Sequence, residues 1–252
     1  MDIFLSIFGA LVATWLAFSL FRSWRAKKRL HSEIWTLAFA SYALGMWALA
    51  FGLDVGWTSF SFRSFYFFGA IANISFLAAG AIALHSERGG RIAKNVVSLW
   101  LVFAFFATFL SSFTVPLPES GIPEGSDVFG FTFAIEALTL PGPRMFAAIS
   151  GAFATVIIIG LALITVVRTW NSLRQLAYGN LLIAAGTIVP ALGGSLTALG
   201  ESSALVVSLT VGIVLLWAGY RTAVSATSSG EDAVSARAGQ DESGEYQTDG
   251  KN

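Results

Sequence analysis

Five side chains could do chemistry inside the apolar stretches of this chain or at their mouths: Arg63, Tyr66, Asn73, Arg144 and Thr187. A guanidinium pairs bidentately with phosphate or carboxylate through its fixed fork of N–H donors. An amide, a phenol or a threonine hydroxyl instead hydrogen-bonds a neutral ligand or a neighbouring helix. Arg63 stands near the start of Phe60–Leu84, FSFRSFYFFGAIANISFLAAGAIAL, and no other formal charge occurs in that stretch. A 3.6-residue period places Tyr66, Gly69, Asn73, Leu77 and Gly80 on one helix face. A second stripe at helical spacing runs Asn180, Ala184, Thr187, Ala191, Gly194 and Ala198, around Pro190. Small residues let helix backbones approach, and amides or hydroxyls bond across helices, so each stripe predicts close packing or a lined cavity. Arg63 and Arg144 predict either an anion site, for a lipid phosphate or a carboxylated ligand, or interfacial arginines paired with Asp54, Glu136 or Glu201.

The elements that must position these residues follow from hydropathy. The chain has 252 residues, a mean hydropathy of +0.71, 55% hydrophobic and 12% charged residues. Its apolar residues come in blocks of about twenty, the length that crosses a hydrocarbon core as a helix. The predicted fold is an all-α bundle of seven transmembrane helices over residues 1–224. The spans are 3–21, 34–53, 65–84, 96–113, 145–167, 176–199 and 204–220. Residues 85–95 read as a polar loop broken by Gly89-Gly90, and 114–144 as a long connection holding five of the six prolines. Within that connection Phe129, Phe131, Phe133 and Ile135 alternate with Gly130, Thr132, Ala134 and Glu136, which favours a short strand over an interfacial helix. Residues 225–252 hold almost no large apolar side chains, too few to offset ordering entropy, and are predicted to be a disordered tail.

The loops after spans one, three and five carry five, three and two Lys/Arg, against Arg63 and Arg144 alone on the opposite side. By the positive-inside rule the N-terminus is expected outside and the tail in the cytoplasm of a multi-pass protein of the cell membrane. Met1-Asp2 lacks a basic leader region, so a removable signal peptide is not expected. Arg22, Arg25, Lys27, Lys28 and Arg29 suffice to fix this topology, and could also hold anionic lipids at about 1 kcal/mol per basic residue. The expected partner is the bilayer, not nucleic acid.

Absences narrow the chemistry. There is no cysteine, and His31 and His85 sit at span edges, so neither a metal site nor a cofactor is expected. Residues 204–220 contain no lysine for a retinal Schiff base. Between the span ends there is no Asp, Glu, Lys, Arg or His, which disfavours an ion-coupled transporter. No catalytic motif occurs, so no enzyme is expected.

Gly56-Trp57, Phe62-Arg63, Tyr66, Gly69-Ala70, Leu77 and Gly80 lie within a segment, Trp47 to Gly80, that resembles a group of uncharacterised bacterial seven-helix integral membrane proteins, notably actinobacterial ones. The segment is also loosely similar to the seven-helix sensor region that precedes some bacterial histidine kinases. The first resemblance implies a fold and lends no functional residues; the second implies sensing. The function expected first is a non-enzymatic, sensor-like module that binds a lipid or small molecule near Arg63, Tyr66 and Arg144. The alternatives are a facilitative transporter or channel for an uncharged solute, lined by the Asn73 and Thr187 faces, or a structural partner subunit of a membrane complex. Asn73 is expected to be buried and bonded to another helix, with Thr187 or Tyr42 as candidate partners.

Overall fold

A computed structural model describes residues 1–118, 121–123, 125–171, 173–197, 203–223 and 225. Seven helices among them are long and apolar enough to cross a membrane. These are α1 (Asp2–Lys27), α2 (Leu30–Val55), α3 (Ser59–His85), α4 (Glu87–Leu110), α5 (Pro143–Thr169), α6 (Arg174–Thr197) and α7 (Ser203–Ala223). A two-stranded hairpin, β1 (Thr132–Ile135) and β2 (Leu138–Pro141), interrupts an otherwise all-α architecture. The predicted disordered tail lies outside the described residues beyond Ser225.

Side chains cap the N-termini of α3 and α4. Thr58 and Ser61 form a reciprocal capping box at the start of α3: Thr58 Oγ1 accepts from Ser61 N at 3.1 Å, and Ser61 Oγ accepts from Thr58 N at 2.9 Å. The expected loop 85–95 is not there. Ser86 alone joins α3 to α4 and caps α4 by accepting from Gly89 N at 3.1 Å, so Gly89-Gly90 are helical. Gly90 is needed because any Cβ there would overlap Ala83 of α3, across the tight turn. The fourth span also stops at Leu110, three residues short of expectation, because Ser111 leaves helical geometry at ψ 142.

The alternating segment is extended, as its period-two pattern predicts. β1 and β2 pair antiparallel, Ile135 opposite Leu138, around a two-residue turn in which Glu136 takes a positive φ of 53. No single apolar face is buried, however: Phe131, Ile135 and Leu138 are all exposed.

Helices α2 and α3 form the centre of the bundle. They pack against each other, α1 lies on α2, and α4 and α5 lie on α3. α5 packs on α6. α6 meets α7 through glycines: a Cβ on Gly179 would lie 3.0 Å from Gly219 O, and one on Gly186 2.9 Å from Gly212 O. α7 returns to α2 where Tyr42 Oη donates to Leu209 O at 2.7 Å, and to α1 where Thr210 Oγ1 donates to Leu5 O at 3.1 Å. Thus α2, α3, α5, α6 and α7 close a ring, with α1 and α4 outside it. Backbone meets backbone in the α2–α3 seam at Gly45, where a Cβ would sit 2.9 Å from Gly69 Cα.

That seam makes a stability test. Gly45→Val should force the two backbones apart and cost about 1–3 kcal/mol as overpacking. Gly151→Ala should be silent, because a Cβ there meets no atom within 4 Å. Thermal melts of the two variants in detergent should separate by several degrees; equal melting temperatures would show the seam to be loose.

Candidate functional site

A cavity of about 480 Å³ lies inside the five-helix ring. α3 contributes Phe65, Tyr66, Gly69, Ala70, Asn73, Ile74 and Leu77 to its wall. The predicted stripe is therefore the cavity face, apart from Gly80, which packs against the indole of Trp35. The wall is wider than a 3.6-residue stripe because residues Phe65–Ala72 form a π-helical segment. Its wider turns end where Asn73 N–H reaches back five residues to Phe68 O. Neighbouring pairs 65/66, 69/70 and 73/74 thereby share one concave surface, and Gly69 and Ala70 among them leave room.

Tyr42, Gly45 and Met46 of α2 face α3 across the space, and Gly151 and Thr155 of α5 close one side. Gly186, Thr187, Pro190 and Ala191 of α6 and Leu205, Leu209 and Leu216 of α7 complete the ring. At the end away from the basic loops, Pro123 and Gly125 of the long connection reach the cavity, with Gly125 lying against the Tyr66 ring. Trp57 Nε1 anchors that segment by donating to Gly121 O at 2.7 Å. The neighbouring Val128 and Phe129 are fully buried among Phe62, Tyr66 and Phe113. At the other end Trp35 donates to Leu77 O at 3.3 Å and meets the Tyr220 ring edge-on at 6.1 Å. Aromatic side chains thus stand at both ends of the chamber.

Among the described residues no charged side chain lines the cavity. Two of its hydroxyls are already committed as donors, Tyr42 to Leu209 O and Thr187 to Ile183 O at 2.9 Å on its own helix. Asn73 is 6% exposed, and its Oδ1 is fully buried without a hydrogen-bond partner. The expectation of a buried Asn73 holds, but its carbonyl is not bonded to another helix. Neither Thr187 nor Tyr42 serves it, because backbone carbonyls have claimed both hydroxyl protons. An unmet buried carbonyl costs about 1–3 kcal/mol.

The two arginines do not belong to this site. Arg63 donates through Nε to Ser59 Oγ at 3.0 Å, through Nη1 to Thr108 O and through Nη2 to Ser111 O at 2.8 Å. Its guanidinium also lies over the Phe113 ring, 4.4 Å from the centroid. It caps the C-terminal carbonyls of α4, where a cation complements the helix dipole. With three of its nitrogens engaged this way, Arg63 is neither the expected anion site nor the partner of a carboxylate. Arg144 stacks on Phe131 at the base of the hairpin, 4.5 Å from the centroid. The structure therefore gathers Tyr66, Asn73 and Thr187 and leaves Arg63 and Arg144 outside.

Sequence reasoning missed Gly45, Gly151 and Thr155, and named Tyr42 only as a candidate partner for Asn73. Gly151 and Thr155 are one helical turn apart, the same small-plus-hydroxyl signal that marks α6, and Tyr42 and Gly45 are three apart on α2. The cytoplasm-predicted basic cluster continues α1: Lys28 sits 4.9 Å from the Trp24 ring centroid, and Arg22 and Arg25 each lie 6.0 Å from the Phe18 and Phe21 rings. No group of three or more His, Cys, Asp or Glu that could hold a metal occurs among the described residues.

Fold and cavity together define a seven-helix bundle, with the length and hydropathy to cross a membrane, built around a central chamber that no charged side chain lines among the described residues. No protein-family model matches the chain, and no curated protein matches it significantly.

Two substitutions test these assignments. Arg63→Met should lower stability by roughly 1.5–3 kcal/mol, through loss of charge-assisted bonds to the α4 end, whereas Asp54→Asn should leave it unchanged. Asn73→Leu, which replaces an unpaired carbonyl by an apolar group of similar size, should leave the empty protein as stable or raise its melting temperature. A clear loss of stability in Asn73→Leu would mean that the amide is bonded after all.

Proposed function

We propose that this protein is a non-enzymatic, sensor-like binding module of the cell membrane, whose ligand is a lipid or small molecule held in the chamber between α2, α3, α5, α6 and α7. The observation that carries this reading is the cavity itself, of a volume typical of small-molecule sites. It is mostly apolar, with a few convergent polar groups and an unpaired amide carbonyl. The π-helical segment in its wall supports the same reading, since such a widening is concentrated at functional positions. The ligand site is displaced from the one expected at the helix mouths: Tyr66 remains in it, and Arg63 and Arg144 do not.

A facilitator for an uncharged solute fits less well. Such a path needs polar groups through the whole thickness, and toward the basic end Trp35, Leu77 and Leu216 are the residues encountered.

For orientation, we place the helix ends and connections that carry Lys28, Arg29, Arg88 and Arg91 in the cytoplasm and the hairpin outside, on the strength of the ten-to-two charge asymmetry. Arg88 and Ala137 are both exposed. A cysteine at Ala137 should react with an impermeant maleimide in intact cells and one at Arg88 should not; the reverse pattern inverts the topology.

The binding reading is tested by native mass spectrometry of the protein released from mild detergent. A bound small molecule should be retained by the natural protein and lost from Gly151→Leu, at a position that lines the cavity and where an added Cβ meets no atom within 4 Å. Identical spectra, with the same adduct or none in both, would remove the chamber as a binding site.

A further inference from the structure

The hairpin between α4 and α5 has two chemically different faces. Its register pairs Phe133 with Leu140 and Ile135 with Leu138 on one face. On the other it pairs Thr132 with Pro141 and Ala134 with Thr139. The first face is wholly apolar, and the second is small or polar.

The protein covers only part of the apolar face. Phe133 packs against the aromatic cluster that contains Phe129 and Phe146, and its cross-strand neighbour Leu140 is half-buried. Further along the same face Ile135 is 44% exposed and Leu138 60%. The hairpin thus rests on the protein at its base and overhangs it at its tip, with the apolar side turned the same way throughout. An uncovered apolar face of this kind calls for a partner.

The depth of the hairpin identifies that partner. α5 has 27 residues and is about 40 Å long. Centred in a hydrocarbon core of about 30 Å, it overruns by about 5 Å at each end, into the headgroup layer. Gly142 alone separates β2 from α5, and Gly142 N donates to Phe131 O at 2.6 Å, tying the stem of the hairpin to that helix end. The strands therefore start at headgroup depth, and four residues carry them about 13 Å at most. Phe60 at the start of α3 and Leu110 at the end of α4 are exposed at the same end of the bundle. The overhanging face continues that apolar rim.

We propose that the hairpin docks on the lipid surface: Ile135 and Leu138 enter the headgroup layer of the leaflet away from the basic connections, and Thr132 and Thr139 stay in water. This inference rests on α5 crossing a bilayer and is independent of what the chamber holds.

The chain has no cysteine, so a nitroxide can be attached at one chosen position. Labels at Leu138→Cys and Thr139→Cys probe the two faces of the hairpin. A third at Phe153→Cys, an exposed position well inside α5, gives the value for lipid contact. The labelled full-length protein is placed in nanodiscs of palmitoyl-oleoyl phosphatidylcholine. Collision with oxygen, which concentrates in lipid, is compared by electron paramagnetic resonance with collision with a water-soluble nickel chelate. The oxygen-to-nickel ratio at Leu138 should be severalfold that at Thr139 and lie toward the Phe153 value. Equal, water-like ratios at Leu138 and Thr139 would overturn the docking, since the hairpin would then stand clear of the membrane. Shielding of Leu138 from both reagents would overturn lipid as the partner, in favour of a protein or a second copy of this chain. Lipid-like ratios at both positions would overturn the two-faced arrangement. A water-like ratio at Phe153 would overturn the spanning of α5, and the docking with it.

Discussion

In a hydrocarbon surround, apolar side chains gain little by touching each other instead of lipid, so helices are held by how closely their backbones can come. The glycines of this chain mark those approaches. Gly45 meets Gly69 between α2 and α3, Gly80 takes the Trp35 ring, and Gly179 and Gly186 meet Gly219 and Gly212 between α6 and α7. These contacts set the distances at which the ring closes. Where side chains within the ring are also small and no partner backbone approaches, as at Gly151, space remains and becomes the chamber.

The same surround demands that polar groups find partners within the protein. Most hydroxyls comply locally: Thr14, Thr36, Thr108, Thr165 and Thr187 each donate to the carbonyl four residues back. Arg63 complies at longer range by closing the end of α4. Buried Nε1 of Trp217 and Oγ of Ser111 lack partners, as does Asn73 Oδ1, and of these three residues only Asn73 lines the cavity.

Much of this was legible in the sequence. Blocks of about twenty apolar residues can be little other than membrane-length helices, and all seven appear. The residues from Tyr66 to Leu77 on the predicted stripe line the cavity, and of the other stripe Thr187 and Ala191 do. The π-helical widening was not legible, since no composition distinguishes FYFFGAIA from an ordinary apolar helix. Arg63 was misread for a general reason. An arginine's neighbours in sequence do not reveal the carbonyls that a different helix end, forty-five residues away, leaves unpaired. Gly89-Gly90 was read as a break, whereas the crowding of Ala83 across a one-residue connection is a property of the packed pair and not of either glycine.

The shortness of the connections on the basic side has a mechanical consequence. Two residues, Lys28 and Arg29, join α1 to α2, and Ser86 alone joins α3 to α4. Each hairpin thus has no slack at that end and moves as one lever. Any change in chamber width has to be taken up at seams around the ring, such as α2 against α7 or α3 against α5. Seen from that side, the two hairpins behave as stiff tongs. A widening of the chamber by an occupant would reach the basic face as a tilt of whole hairpins, not as a rearranged loop.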